Sequence, residues 1–335
     1  MKEPTFRLGL LAAGIAAVAL TASLPSAAQD SSWEHPKTPW GDPDIQGMWP
    51  VRHMTGVPLV RPEEYGTRNT LTDEEFERRE AQLARRNEAY IAEIAQNKMG
   101  MGHWAEAGQI PTRVASLIVD PPDGQFPELT PEGQRRAETM GSSWFRDTWD
   151  TPEDFDVWDR CITRGLPASM FPMQYNNGIE IVQAPGYVVI RLEMIHEARI
   201  VPVDGSPALD SDIKQWLGES RGRWEGNTLV VETTNFNGIS HMTNIGTGGS
   251  PRGNTPTSEA LNITERFTRI SDDQLEYEIT VEDPVVQTRP WTAAYTWVLD
   301  PDYEFFEYAC HEGNIQVRSY IETSRYEREQ QAANQ

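Results

Sequence analysis

Cysteine is nearly absent. Cys161 and Cys310 are the only two in a chain of 335 residues. That excludes a disulfide-framework miniprotein and a four-cysteine zinc module. Positive charge is also scarce, with 29 Lys and Arg against 51 Asp and Glu and a formal net charge of -22. Such a surface repels polyanions, which excludes nucleic acid as a general partner and disfavours anionic membranes or polysaccharides unless Ca²⁺ bridges them. Several chemical signatures are missing as well. There is no G-x-S-x-G elbow, no G-x-x-x-x-G-K-[ST] loop, no dinucleotide fingerprint and no EF-hand loop. An α/β-hydrolase, a P-loop enzyme, a Rossmann enzyme and an EF-hand protein therefore lack support. No cofactor and no metal is expected.

Long apolar runs are confined to the start of the chain. Lys2 and Arg7 precede the apolar stretch 8–20, and Ser26-Ala27-Ala28 supplies small residues for a peptidase. Residues 1–28 therefore read as a secretory signal cleaved before Gln29. The stretch is too short to span ~30 Å of hydrocarbon, so no membrane insertion is expected after cleavage. Cleavage removes Lys2, Arg7 and Glu3 and leaves the chain one charge more negative. A periplasmic or secreted location follows. In that oxidising setting Cys161 and Cys310 are expected to pair rather than remain buried thiols. The bridge would close a loop of about 150 residues and stabilise by a few kcal/mol.

What is present is a globular composition, 38% hydrophobic and 9% aromatic. Four sections are expected: the signal, an irregular and helical segment over 29–150, a β domain over 151–323 and a frayed polar tail over 324–335. Residues 33–68 are rich in Pro, Gly and Trp and cannot sustain a helix. Thr72 with Glu75 opens a capping box, which predicts a helix to about Asn97. Residues 114–119 read as a strand, and Thr130-Pro131 opens a short helix to about Met140. Beyond Asp150, paired strand patterns flank Pro185-Gly186, Glu225-Gly226-Asn227, Ser271-Asp272-Asp273 and Asp300-Pro301-Asp302. Four hairpins in succession predict a mainly β protein, an antiparallel meander closing into a barrel. A β-sandwich is the alternative.

Strand alternation nominates polar residues on inward faces. In 187–201, His196 shares a face with Val188, Ile190 and Leu192, while Glu193 and Arg199 fall on the other. In 261–270, Glu265 shares a face with Ile263 and Phe267. An inward carboxylate needs a partner, such as Arg266 or Arg223, or a raised pKa. In 304–311, an inward Cys310 carries Tyr308 and Glu312 inward with it. His311 then faces out unless the Gly313 turn rotates it. The candidate catalytic residues are thus His196, Glu265, Glu312, Tyr308 and His311. Trp224, Arg266, Tyr277 and Trp297 are the candidate substrate contacts. If the front segment caps the cavity, His53, His103 and Trp104 also reach it. The Gly-rich stretch 246–253 reads as a mobile loop or lid. The spacing of Glu193 and His196 suits a metal on a helix but not on a strand, where they point oppositely.

Several segments resemble a widespread family of exported bacterial proteins of unknown function. They include Ile118-Val119-Asp120-Pro121-Pro122-Asp123-Gly124, Arg160-Cys161-Ile162, Glu193-Met194-Ile195-His196, Gly222-Arg223-Trp224-Glu225-Gly226-Asn227 and Tyr308-Ala309-Cys310-His311-Glu312-Gly313-Asn314. The similarity spans roughly 110–315 and implies no reaction. By strand pattern alone the chain is also similar to lipocalin-like (calycin) barrels, an analogy of fold that carries no function. Three functional expectations follow. One is an exported enzyme doing cofactor-free acid/base chemistry, as a lyase, isomerase, hydratase or hydrolase, on a small organic or sugar-like molecule. Another is an exported carrier of an apolar or aromatic ligand. An envelope assembly role is the third.

Overall fold

A computed structural model describes residues 33–106, 109–244 and 255–334. The expected signal segment and the Gly-rich stretch 246–253 lie outside the described residues. In chain order the strands are β1 (Gly47–Met48), β2 (Ile118–Asp120), β3 (Ile179–Ala184), β4 (Tyr187–Leu192), β5 (Ala198–Pro202) and β6 (Glu219–Glu225). They continue with β7 (Thr228–Thr234), β8 (His241–Thr243), β9 (Thr255–Pro256), β10 (Asn262–Arg269), β11 (Gln274–Glu282) and β12 (Trp291–Val298). The helices are α1 (Asp73–Ala95), α2 (Pro131–Thr139), α3 (Cys310–Gly313) and α4 (Gln316–Ala333).

Local chemistry accounts for most boundaries. At α1 the Thr72 hydroxyl accepts from the Glu75 N–H, and the Glu75 carboxylate accepts from the Thr72 N–H at 2.7 Å, a complete capping box. Thr130 caps α2, with Pro131 at the first helical position. The β6–β7 turn uses Gly226 at φ +63°, a conformation that suits a glycine.

The result is a mixed α/β fold with antiparallel sheets. One sheet has the order β1-β3-β4-β5, the other β2-β12-β11-β10-β7-β6, and β8 and β9 form a separate pair. The 33–150 segment enters both sheets, because β1 pairs with β3 and β2 pairs with β12. Arg61 fastens it further: the buried guanidinium donates to Ser116 Oγ, Pro122 O, Asn69 Oδ1 and Ile118 O. Trp49 is fully buried. One apolar core draws on both sheets, with Ile181, Ile190 and Val201 from the smaller and Val231, Phe267, Ile279 and Trp297 from the larger.

The expected barrel does not form: among the described residues no ladder closes the sheets on each other. β5 and β6 are each a sheet edge, and they meet through side chains. A Cβ on Gly222 would come within 2.7 Å of Val203 Cγ1 and 2.9 Å of Val201 Cγ1, so β6 approaches the end of β5 as closely as a glycine allows. The expected strand over 304–311 is also absent. β12 pairs with β11 along its length and with β2 only at Thr292 and Ala293. The segment runs irregularly into α3 instead. The expected frayed tail is also corrected, because α4 extends to Ala333 and buries Ile321 and Ser324.

The strand expected over 187–201 is two strands. A turn between β4 and β5 places Ile195 at φ +59° and His196 at φ +46°. Consecutive left-handed residues, one of them β-branched, are uncommon and reset the alternation. Arg199 therefore pairs in register with Ile190 and faces the core, while His196 is exposed. Arg199 meets Glu265, with Nη1 donating to Oε1 at 2.9 Å and Nη2 to Oε2. Nη2 also donates to Ser220 Oγ at 3.2 Å and Thr233 Oγ1 at 3.3 Å, and Tyr277 donates to Glu265 Oε1 at 2.8 Å. Glu265 is inward as expected. Its partner is Arg199 rather than Arg266 or Arg223, which pair with Glu225 at the surface.

Glu265→Ala should cost about 3–5 kcal/mol, because it leaves a buried guanidinium uncompensated. The double variant Arg199→Met/Glu265→Leu should recover most of that loss. Denaturant unfolding of both variants checks this, and equal losses would contradict the pairing.

Candidate functional site

The residues nominated from alternation do not converge. Glu265 and Tyr277 belong to the buried ion-pair network, and Trp297 is fully buried beside them, its ring 4.6 Å from Tyr277 and 5.7 Å from Phe267. These side chains fill the space expected to be a cavity. Trp224 packs half-buried against the same core, and Arg266 is half-buried on the opposite face of β10, paired with Glu225. His311 and Glu312 are exposed on α3, so the expected inward Glu312 is corrected. His196 Nδ1 lies 3.2 Å from the Tyr308 carbonyl oxygen. Tyr308 is half-buried with Met194, Ile195 and Trp158 in a second apolar cluster that includes Cys310. Cys161 and Cys310 are disulfide-bonded across 149 positions, as expected.

A different group of residues lines an open cleft of about 400 Å³, within the ~300–1,000 Å³ usual for small-molecule sites. Its polar centre is Glu106, Glu193 and Tyr303. Glu193 follows β4 directly, and its N–H donates to Gly178 O at 3.0 Å, just before β3. Gly178 is required there: a Cβ would sit 2.7 Å from Glu193 Oε2 and 2.8 Å from the Tyr303 ring. Glu106 comes from the loop after α1, where its N–H donates to Gln174 O at 2.9 Å. Tyr303 comes from the turn after β12, with Arg52 over its ring at 5.3 Å. Trp104, Tyr175 and Phe306 supply aromatic walls.

The two carboxyl groups are unequally served. Glu193 accepts from Asn176 Nδ2 at 3.0 Å, Gly178 N at 3.0 Å, Phe306 N at 3.1 Å and the Tyr303 hydroxyl at 2.6 Å. Glu106 accepts from Asn177 N at 2.8 Å and Asn177 Nδ2 at 3.2 Å, and its Oε1 lies 3.1 Å from the same Tyr303 oxygen. A phenol has one hydrogen. When Tyr303 donates to Glu193, its contact with Glu106 calls for a proton on Glu106. Burial, first, and the charge of Glu193 push the Glu106 carboxyl above the usual range, against the pull of the Asn177 donors. Burial, first, and Glu106 push the Tyr303 phenol upward as well. Two carboxyl groups that meet at one phenol oxygen, one of them lining a cleft, are an arrangement that acid/base chemistry uses.

Among the described residues no cluster of three or more His, Cys, Asp or Glu is arranged to hold a metal ion. Of the front-segment residues expected to reach a site, Trp104 lines this cleft. His103 is exposed with Nε2 on Lys98 O, and His53 lines a separate groove under α1. Sequence reading missed Glu106, Glu193 and Tyr303. Glu193 was read onto the outer face because alternation was carried through the turn that follows β4. Comparison with known protein families, with curated proteins and with solved structures finds no match.

Glu193→Gln removes the neighbouring charge, so the Glu106 carboxyl should titrate at lower pH than in the wild type. A carbon-13 titration of the Glu106 side chain reads the shift. An unchanged or raised midpoint would contradict the coupling.

Proposed function

We propose that the protein is an exported enzyme performing acid/base chemistry on a small polar organic or sugar-like molecule in the Glu106–Tyr303–Glu193 cleft. The observation that carries this reading is the single phenol oxygen within hydrogen-bond reach of both carboxyl groups. Glu106 is the catalytic acid or base. Its raised titration keeps it protonated to higher pH than an ordinary glutamate, so it can give its proton to a leaving oxygen or nitrogen. Tyr303 and Glu193 are positioning residues that hold the proton on the cleft side. Trp104 and Phe306 offer flat apolar faces against which a ring packs, with polar groups left free to meet the carboxyls. Elimination, isomerisation, hydration and hydrolysis all use such a pair.

An exported setting agrees with the disulfide, which is at home in an oxidising extracytoplasmic compartment. Among the described residues no helix is long and apolar enough to cross a membrane. A periplasmic or secreted enzyme is the finer reading. The carrier alternative has less to rest on, because Phe267, Tyr277 and Trp297 pack where its apolar ligand would sit.

The test is a paired incubation of wild type and Glu106→Gln with a small-molecule extract of the source cells, followed by untargeted mass spectrometry. A mass converted by the wild type should be converted about 10²–10⁴-fold more slowly by the variant. Where Glu106 acts as the acid, the rate should fall as pH rises through its elevated pKa. A mass that is retained but never altered, or one converted equally by both proteins, would overturn the assignment.

A further inference from the structure

A second cleft, of about 180 Å³, lies between the 143–159 segment and the start of α4. It is smaller than the ~300–1,000 Å³ of sites for drug-sized ligands, so it suits a headgroup rather than an extended molecule. Its walls are aromatic. Trp149 and Tyr320 meet edge to face with ring centroids 5.0 Å apart, Phe155 and Tyr320 likewise at 6.3 Å, and Trp144 stands exposed at the rim. Edge-to-face packing sets rings at steep angles to one another, which gives a pocket walls on more than one side.

The same cleft holds one carboxylate, Asp159. Its partners are neutral donors: Ser143 Oγ donates to Oδ2, and Trp144 Nε1 donates to Oδ1 at 3.2 Å. Arginines of the two flanking segments are committed elsewhere. Arg146 pairs with Asp154 at 2.9 Å, Arg318 pairs with Glu322 at 2.6 Å, and Arg328 pairs with Asp150. Burial, first, and the charge of Asp156 push the Asp159 carboxyl above its usual range. A half-buried carboxylate met by neutral donors and ringed by aromatic side chains calls for a cation that is also greasy. Electron-rich ring faces attract such ions, and quaternary ammonium groups exploit this.

The two walls are tied covalently. Cys161, two residues after Asp159, is bonded to Cys310, and Asn314 Nδ2 donates to Asp159 O at 2.8 Å. The Trp149 N–H donates to Ser324 Oγ on α4 at 3.0 Å, and Arg325 donates to Asp150 O at 2.6 Å. The cleft is therefore built from fixed parts.

We propose that this cleft binds an organic cation, a quaternary or methylated ammonium headgroup, with Asp159 as counter-ion and Trp149, Phe155 and Tyr320 as the aromatic enclosure. This site is separate from the carboxyl pair and does not depend on the reaction assigned there.

Calorimetric titration of the full exported chain tests it, with choline as the probe and 3,3-dimethyl-1-butanol as its uncharged isostere. Choline should bind saturably at one site, and the isostere at least ten-fold more weakly. Asp159→Asn and, separately, Tyr320→Ala should each weaken choline at least ten-fold. The isostere comparison uses unaltered protein, so it stands even if a variant fails to fold. Equal affinity for the two probes, no saturable choline binding by folded wild type, or unchanged affinity in the folded variants would overturn the proposal.

Discussion

The guanidinium of Arg199 on β5 reaches across the core to the Glu265 carboxylate on β10, and to hydroxyls of Ser220 on β6 and Thr233 on β7. It hydrogen-bonds the smaller sheet to the larger through side chains, both partners being buried. An ion pair in that setting does little for net stability, because desolvation offsets the attraction. Its consequence is register. Arg199 must face the core opposite Ile190, and the turn between β4 and β5 must then absorb residues 193–197. Glu193 is thereby delivered to the end of β4, next to Gly178 at the start of β3. The position of the carboxyl pair is thus inherited from the core.

The two glutamates of the cleft show how environment divides labour between identical side chains. Glu193 is buried and ringed by four donors from two separate segments, 176–178 and 303–306, a fixed anchor for the loops that meet there. Glu106 is only half-buried, has Asn177 and the Tyr303 oxygen as neighbours, and faces the opening. Burial and the neighbouring Glu193 charge raise the Glu106 carboxyl, which suits it to an acid role.

Much of the local structure was legible because its causes are local. The Thr72–Glu75 box, the Thr130-Pro131 start and the β3–β4 and β6–β7 turns all depend on residues within a few positions. The disulfide was legible from count and compartment. The barrel was not, because closure depends on whether β5 and β6 share a ladder, and nothing near either strand encodes that. The inward His196 failed for a sharper reason. Alternation assumes unbroken extended backbone, and two left-handed residues, Ile195 and His196, ended it. The same break turned both Arg199 and Glu193 inward from their expected outer face, so a core partner and a site residue were both read as surface. Glu106 lies in a loop, where no periodicity exists to read. Tyr303 sits in a turn whose partners are more than a hundred residues away.

Carbodiimide labelling of native protein at mildly acidic pH, with an amine nucleophile and peptide mapping by mass spectrometry, tests most directly whether Glu106 carries the working proton. The reagent needs a protonated, accessible carboxyl. Glu106 should be modified faster than fully exposed glutamates such as Glu74 and Glu312, while Glu265 resists. Modification of Glu106 no faster than those surface carboxylates would contradict the shared proton and, with it, the assignment of the cleft.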